Sequence, residues 1–262
     1  MVTMADTEWL FVALGAAAFF AGVVDAVVGG GGLIQIPALF SAFPNASPAT
    51  LFGTNKLSSV VGTTSAAIQY GRRVEIPWRV TLPGAVAAFT GSWFGARTVA
   101  YLSPELLRPL VLGLLILVAI YTFRRKDFGT GGSALPAGRR SVALALLIGA
   151  VVGFYDGFFG PGTGSFLIFL FVRFLGMDFL RASVNAKILN VATNVAAIAL
   201  FASTVELLWL VAGVMAVCNL SGALVGSRLA LRHGAGFVRR MFLGVLCVLI
   251  GKMVYDLMLR LH

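Results

Sequence analysis

GGGGLIQIP, residues 29–37, is the stretch that decides how this chain is read, together with its counterpart GFFGPGTGSF, residues 157–166. Each lies just after a long apolar run and begins a short one. Glycine disfavours helix by about 1 kcal/mol per residue and proline by about 3, so both stretches break a helix where the surrounding sequence is membrane-like. Broken backbone at membrane depth is tolerated only where protein buries it or a wet cavity solvates it. Transporters use such breaks so that half-helix N-termini, with free N–H groups and partial positive charge, face an anion. The competing reading is close helix packing by small residues.

The surrounding composition fits a bilayer. Of the 262 residues 59% are hydrophobic and 11% charged, against about 25% charged in an ordinary soluble domain. Apolar runs at 9–28, 51–70, 80–96, 106–123, 141–159, 183–202, 208–227 and 238–259 are each about the length of a span. The pieces at 30–43 and 161–174 are too short to cross alone and either cross as part of a broken span or re-enter. The expected fold is therefore an all-α polytopic membrane protein with about eight long spans and two short broken or re-entrant segments. The N-terminal run reads as a retained span, because no basic residue precedes it and it is too long for a signal-peptide core. The net charge of +10 comes from basic residues clustered at the ends of apolar runs, which is a topology signal. Lipid bilayer and a small solute are the expected partners, and nucleic acid is not. Cys218 and Cys247 sit inside apolar runs, and His233 and His262 are the two histidines. Free packed thiols are expected, with no metal and no cofactor. No nucleophile–base pair suggests an enzyme, and the sequence leaves a homo-oligomer open.

An offset of 131 residues, half of 262, superposes the chain on itself without a gap. Asp25 falls on Asp156, Gly29 on Gly160, Gly31 on Gly162, Lys56 on Lys187 and Trp78 on Trp209. GSWFGAR (91–97) falls on GALVGSR (222–228), whose glycines four apart offer a face for close helix contact. The chain thus divides into repeats at 1–123 and 141–262, joined by a basic, Gly/Ser/Pro-rich linker at 124–140 that reads as a cytoplasmic loop. With the N-terminus outside and both short pieces crossing, fourteen Lys/Arg fall in inside loops and three outside. If the short pieces turn back, the bias vanishes. The positive-inside rule therefore favours an odd number of crossings per half, hence inverted repeats, with a periplasmic N-terminus.

Each glycine break is followed about 25 residues later by a lysine inside a long run, Lys56 in GTNKLSS and Lys187 in NAKILN. An ionisable group at membrane depth is a functional-site hypothesis by default, and the alternative is snorkelling to the interface. The candidate solute-binding residues are Gly29, Gly30, Gly31, Gly32, Asn55 and Lys56 in the first half. In the second they are Gly160, Gly162, Thr163, Gly164, Lys187 and Asn190. Asp25 and Asp156, each four residues before a break, are expected either to form structural ion pairs with the lysines or to carry a coupling proton.

The glycine break with GGLIQIP, then GTNKLSS, then GFFGPGTGSF with its following lysine, resembles the TauE/SafE family of sulfite exporters over nearly the whole chain. That resemblance implies a carrier in the bacterial inner membrane for small sulfur-containing anions such as sulfite or sulfonates, an exporter working by alternating access. An anion channel of the same architecture, or a carrier of another small organic anion, would use the same motifs.

Overall fold

The structure is a computed structural model in which residues 4–99 and 138–261 are described. The expected span at 106–123 and most of the linker lie outside the described residues. Every element among the described residues is a helix: α1 (Met4–Val28), α2 (Gly32–Ala42), α3 (Pro48–Gly71), α4 (Trp78–Thr98), α5 (Arg139–Phe158), α6 (Thr163–Leu175), α7 (Phe179–Thr204) and α8 (Trp209–Leu261). Among the described residues four stretches are both long and apolar enough to cross a membrane: Glu8–Val28, Arg139–Phe158, Phe179–Thr204 and Trp209–Gly244. Helices α3 and α4, of 24 and 21 residues, are long enough but more polar. At 1.5 Å per residue, α2 and α6 reach only about 17 and 20 Å.

Local sequence explains where these helices begin and stop. Ser47 caps α3 by accepting the Thr50 N–H, with Pro48 in the first turn, where its missing N–H is harmless. Asp178, one repeat later, caps α7 by accepting the N–H groups of Leu180 and Arg181. Lys56 and Lys187 thus occupy the same register, two turns into equivalent helices. Gly29 stops α1 with φ +77°, and Gly160 and Gly162 separate α5 from α6 with φ +90° and +82°. The last two expected spans both lie in α8, where the backbone leaves helical geometry at Gly234 (φ 75°, ψ −172°), so two helices meet there at a kink. The first of them runs past the expected end at 227, with Ala230 packed into the core.

Large apolar side chains are exposed around the outside, and polar ones are buried within an otherwise apolar core. Phe20, Leu82, Val86, Phe94, Leu147 and Leu210 are exposed on α1, α4, α5 and α8. Gln35, Thr54, Lys56, Asp156, Asn185, Lys187 and Asn194 are buried. Water could not solvate that exterior, and lipid can. At the centre lies α6, buried on nearly all sides from Thr163 to Phe169.

Packing repeats with the sequence. Helix α1 lies along α8 and α4 along α5, and these pairings exchange under the 131-residue offset, as do α3 with α8 and α7 with α4. The first half therefore interlocks with the second. The GxxxG pairs make the contact. A Cβ on Gly91 or Gly95 would strike the backbone at Ala150 or Phe154, and one on Gly222 or Gly226 would strike Phe19 or Val23. Gly95→Val and Gly226→Val are each expected to destabilise by about 1–3 kcal/mol through overpacking. Gly213→Val, where an added Cβ meets nothing within 4 Å, should be near neutral. Thermal unfolding in detergent checks this, and equal shifts at all three positions would contradict the packing account.

Candidate functional site

The two breaks cross one another. A Cβ on Gly164 would lie 2.5 Å from the Gly29 Cα, so only glycine lets the strands of backbone meet. Ser165 ties them, its N–H donating to the Gly29 carbonyl at 3.1 Å and its hydroxyl to the Val28 carbonyl at 2.8 Å. Gly32, at the start of α2, faces Pro161 across the same junction. The glycines thus serve close backbone approach and helix interruption together.

Both lysines reach this crossing and neither snorkels, since each is only 3% exposed. Their environments differ. The Lys56 ammonium pairs across the halves with Asp156 Oδ2 at 2.9 Å and donates to Asn194 Oδ1 at 3.3 Å. Thr163 completes the group by donating its hydroxyl to Asp156 Oδ1 at 2.8 Å. Buried charges are tolerated only when paired and hydrogen-bonded, and this pair is both. The pair joins the lysine of one half to the aspartate of the other.

Lys187 has no hydrogen-bond acceptor among the described residues. Its ammonium sits 4.9 Å from the centre of the Tyr70 ring, a cation–π contact that offsets part of its desolvation. It lines a small cavity of about 10 Å³ with Asp25, Gly29, Thr63, Gly164, Ile168, Ala186 and Asn190. That is room for roughly one water. Among the described residues Asp25 makes no ion pair within 4 Å. It accepts from the Thr63 hydroxyl at 3.0 Å and from the Gly31 N–H at 3.4 Å. Asn190 accepts from Asn194 at 3.0 Å, so a hydrogen-bonded path runs from Asp156 through Lys56, Asn194 and Asn190 to the cavity wall.

The half-helix N-termini do not face open space. Asp25 accepts the Gly31 N–H just before α2, and Asp156 accepts the hydroxyl of Thr163, the first residue of α6, so a carboxylate of the chain lies by each helix start. Gly30 and Gly31 accept the first N–H groups of α2. Asn55 is buried with its side-chain oxygen unbonded among the described residues, and it is not among the residues lining the cavity. Sequence reasoning missed Thr63, Tyr70 and Gln35. Gln35, wholly buried, bridges Ser58 and Ser59 of α3. The repeat offered a signal for Thr63, which aligns with Asn194. Among the described residues neither cysteine forms a disulfide. Cys218 would touch a Cβ on Gly15, whereas Cys247 is exposed rather than packed.

Apolar helices around a duplicated, buried polar site define a multi-pass membrane protein with a transporter's interior. A family model described as "Sulfite exporter TauE/SafE" matches residues 14–253. The chain is 37% identical over 241 residues to the "Probable membrane transporter protein YfcA" of Escherichia coli (strain K12), covering 91% of this chain and 87% of that protein. It is 35% identical to the "Probable membrane transporter protein ORF9" of Sinorhizobium sp, covering 92% and 90%. A "Probable membrane transporter protein" of Haemophilus influenzae is 33% identical, with 91% and 92% covered. No solved structure matches. The chain belongs to the TauE/SafE sulfite exporter family and is a membrane transporter.

Proposed function

We propose that this protein is a secondary transporter of the bacterial inner membrane that exports small sulfur-containing anions, sulfite or sulfonates among them. The observation that carries the reading is the Lys187 ammonium. It is buried, lacks an acceptor and lines a cavity where two broken helices cross. An ammonium has three N–H donors, and a small oxyanion supplies acceptors that the surrounding protein does not. The family's description as sulfite exporters points to the same solute class.

The cavity is too small for sulfite as it stands, so transport requires the walls to part. The interlocked, repeat-related packing supports a rocking motion that opens the crossing to each side in turn. In this reading the repeats are inverted, each crosses the membrane an odd number of times, the N-terminus is periplasmic and the linker cytoplasmic. An ion or solute gradient supplies the drive.

Purified protein in proteoliposomes is expected to move labelled sulfite, and internal unlabelled sulfite should accelerate its entry by counterflow. High conductance without counterflow would make it a channel. No flux of sulfite or of any sulfonate would remove the substrate class.

A further inference from the structure

The two lysine sites occupy equivalent places in the repeats, yet one is closed and the other is not, and the residue differences between repeats account for it. Thr163 bonds Asp156, but its counterpart Gly32 has no side chain to offer Asp25. Asn194 accepts from Lys56, but its counterpart Thr63 is shorter and gives its hydroxyl to Asp25 instead. Two cavity-lining residues, Gly164 and Ala186, stand where the other repeat has Leu33 and Asn55. At each of these four positions the Lys187 side carries the smaller residue, whereas Ile168 and Asn190 are larger than their counterparts Pro37 and Ser59. Smaller side chains at these positions accompany the cavity beside Lys187.

From this we infer that the duplicated site has diverged into one anion seat and one structural clamp. Lys187 holds a single small monoanion, Ala186 and Gly164 set the size it admits, and Lys56 with Asp156 only holds the crossing together. This rests on the anion-transport reading above and narrows it to one lysine. The Lys56 charge is already neutralised at 2.9 Å, and an anion would have to displace Asp156 to reach it. The Lys187 charge has no such contact. Asp25 shares the cavity, so a monoanion leaves one excess negative charge there and a dianion two. The lower charge is strongly preferred where water is scarce. Asn190 also lines the cavity, and its side-chain oxygen is taken by Asn194.

Sulfite and methanesulfonate binding to full-length protein in detergent, measured by calorimetry, tests the assignment, with folding followed by size-exclusion chromatography. Lys187→Gln should weaken binding on the order of 10- to 100-fold, the loss of a charge-assisted hydrogen bond. Lys56→Met with Asp156→Asn should keep affinity within about threefold. Ala186→Asn, which installs the other repeat's residue, should weaken methanesulfonate more than the smaller sulfite. It also tests the seat if Lys187→Gln fails to fold. Loss of binding in the Lys56/Asp156 variant with retention in Lys187→Gln overturns the assignment, as does equal loss in both. Wild-type protein that binds neither anion overturns the anion-transport reading itself, and this inference with it.

Discussion

Asp156→Ala is expected to destabilise the protein by about 3–5 kcal/mol, the usual consequence of removing one partner from a buried ion pair. The carboxylate is 2% exposed and accepts from Lys56 and Thr163. Without it the Lys56 ammonium keeps, among the described residues, the Asn194 oxygen alone as an acceptor, in a buried site. Lys56→Ala should be comparably severe, because it strands the carboxylate. Lys56→Met combined with Asp156→Asn should recover much of the loss, since no unpaired charge remains. A double-mutant cycle read by denaturant or thermal unfolding in detergent measures the coupling. Additive losses would show that the two groups do not hold one another.

The crossing of the breaks gives the second large effect. Gly29→Ala should cost about 2–5 kcal/mol. Left-handed backbone penalises an L-residue by roughly 1–2 kcal/mol, and Gly29 has φ +77°. Overpacking adds about 1–3, because its Cβ would strike the Gly164 backbone. Gly164→Ala meets the collision from the other side, 2.5 Å from the Gly29 Cα, without the left-handed penalty. It should therefore be the milder of the two. Melting temperatures of the two variants, with Gly213→Ala as a neutral reference, check both the size and the order. A Gly29→Ala protein as stable as wild type would mean that the strands of backbone do not meet here.

Much of the architecture was legible because it rests on local chemistry. Gly29, Gly160 and Gly162 end helices through their own backbone freedom. The short pieces at 30–43 and 161–174 became α2 and α6 with nearly the expected bounds. The offset that aligned GSWFGAR with GALVGSR also anticipated their matching contacts, since equivalent small residues accept equivalent neighbours. The site was legible only as two equal halves. Sequence marked Lys56 and Lys187 alike and named both aspartates, with no means of choosing partners.

Residue order alone determined the duplication, the membrane-like composition, the places where helices break and the equivalent positions of the two lysines along their helices, because each depends on neighbours along the chain. Folding in three dimensions decided that Lys56 belongs to Asp156 of the opposite half and that Lys187 has no such partner. It also decided that Tyr70 lies beside the second ammonium and that each carboxylate covers a helix end. Those outcomes turn on distances of a few ångströms between groups about a hundred residues apart. There, Gly164, Ala186 and Thr63 stand where the other repeat has Leu33, Asn55 and Asn194, and which charge each lies beside follows from the fold and not from chain order.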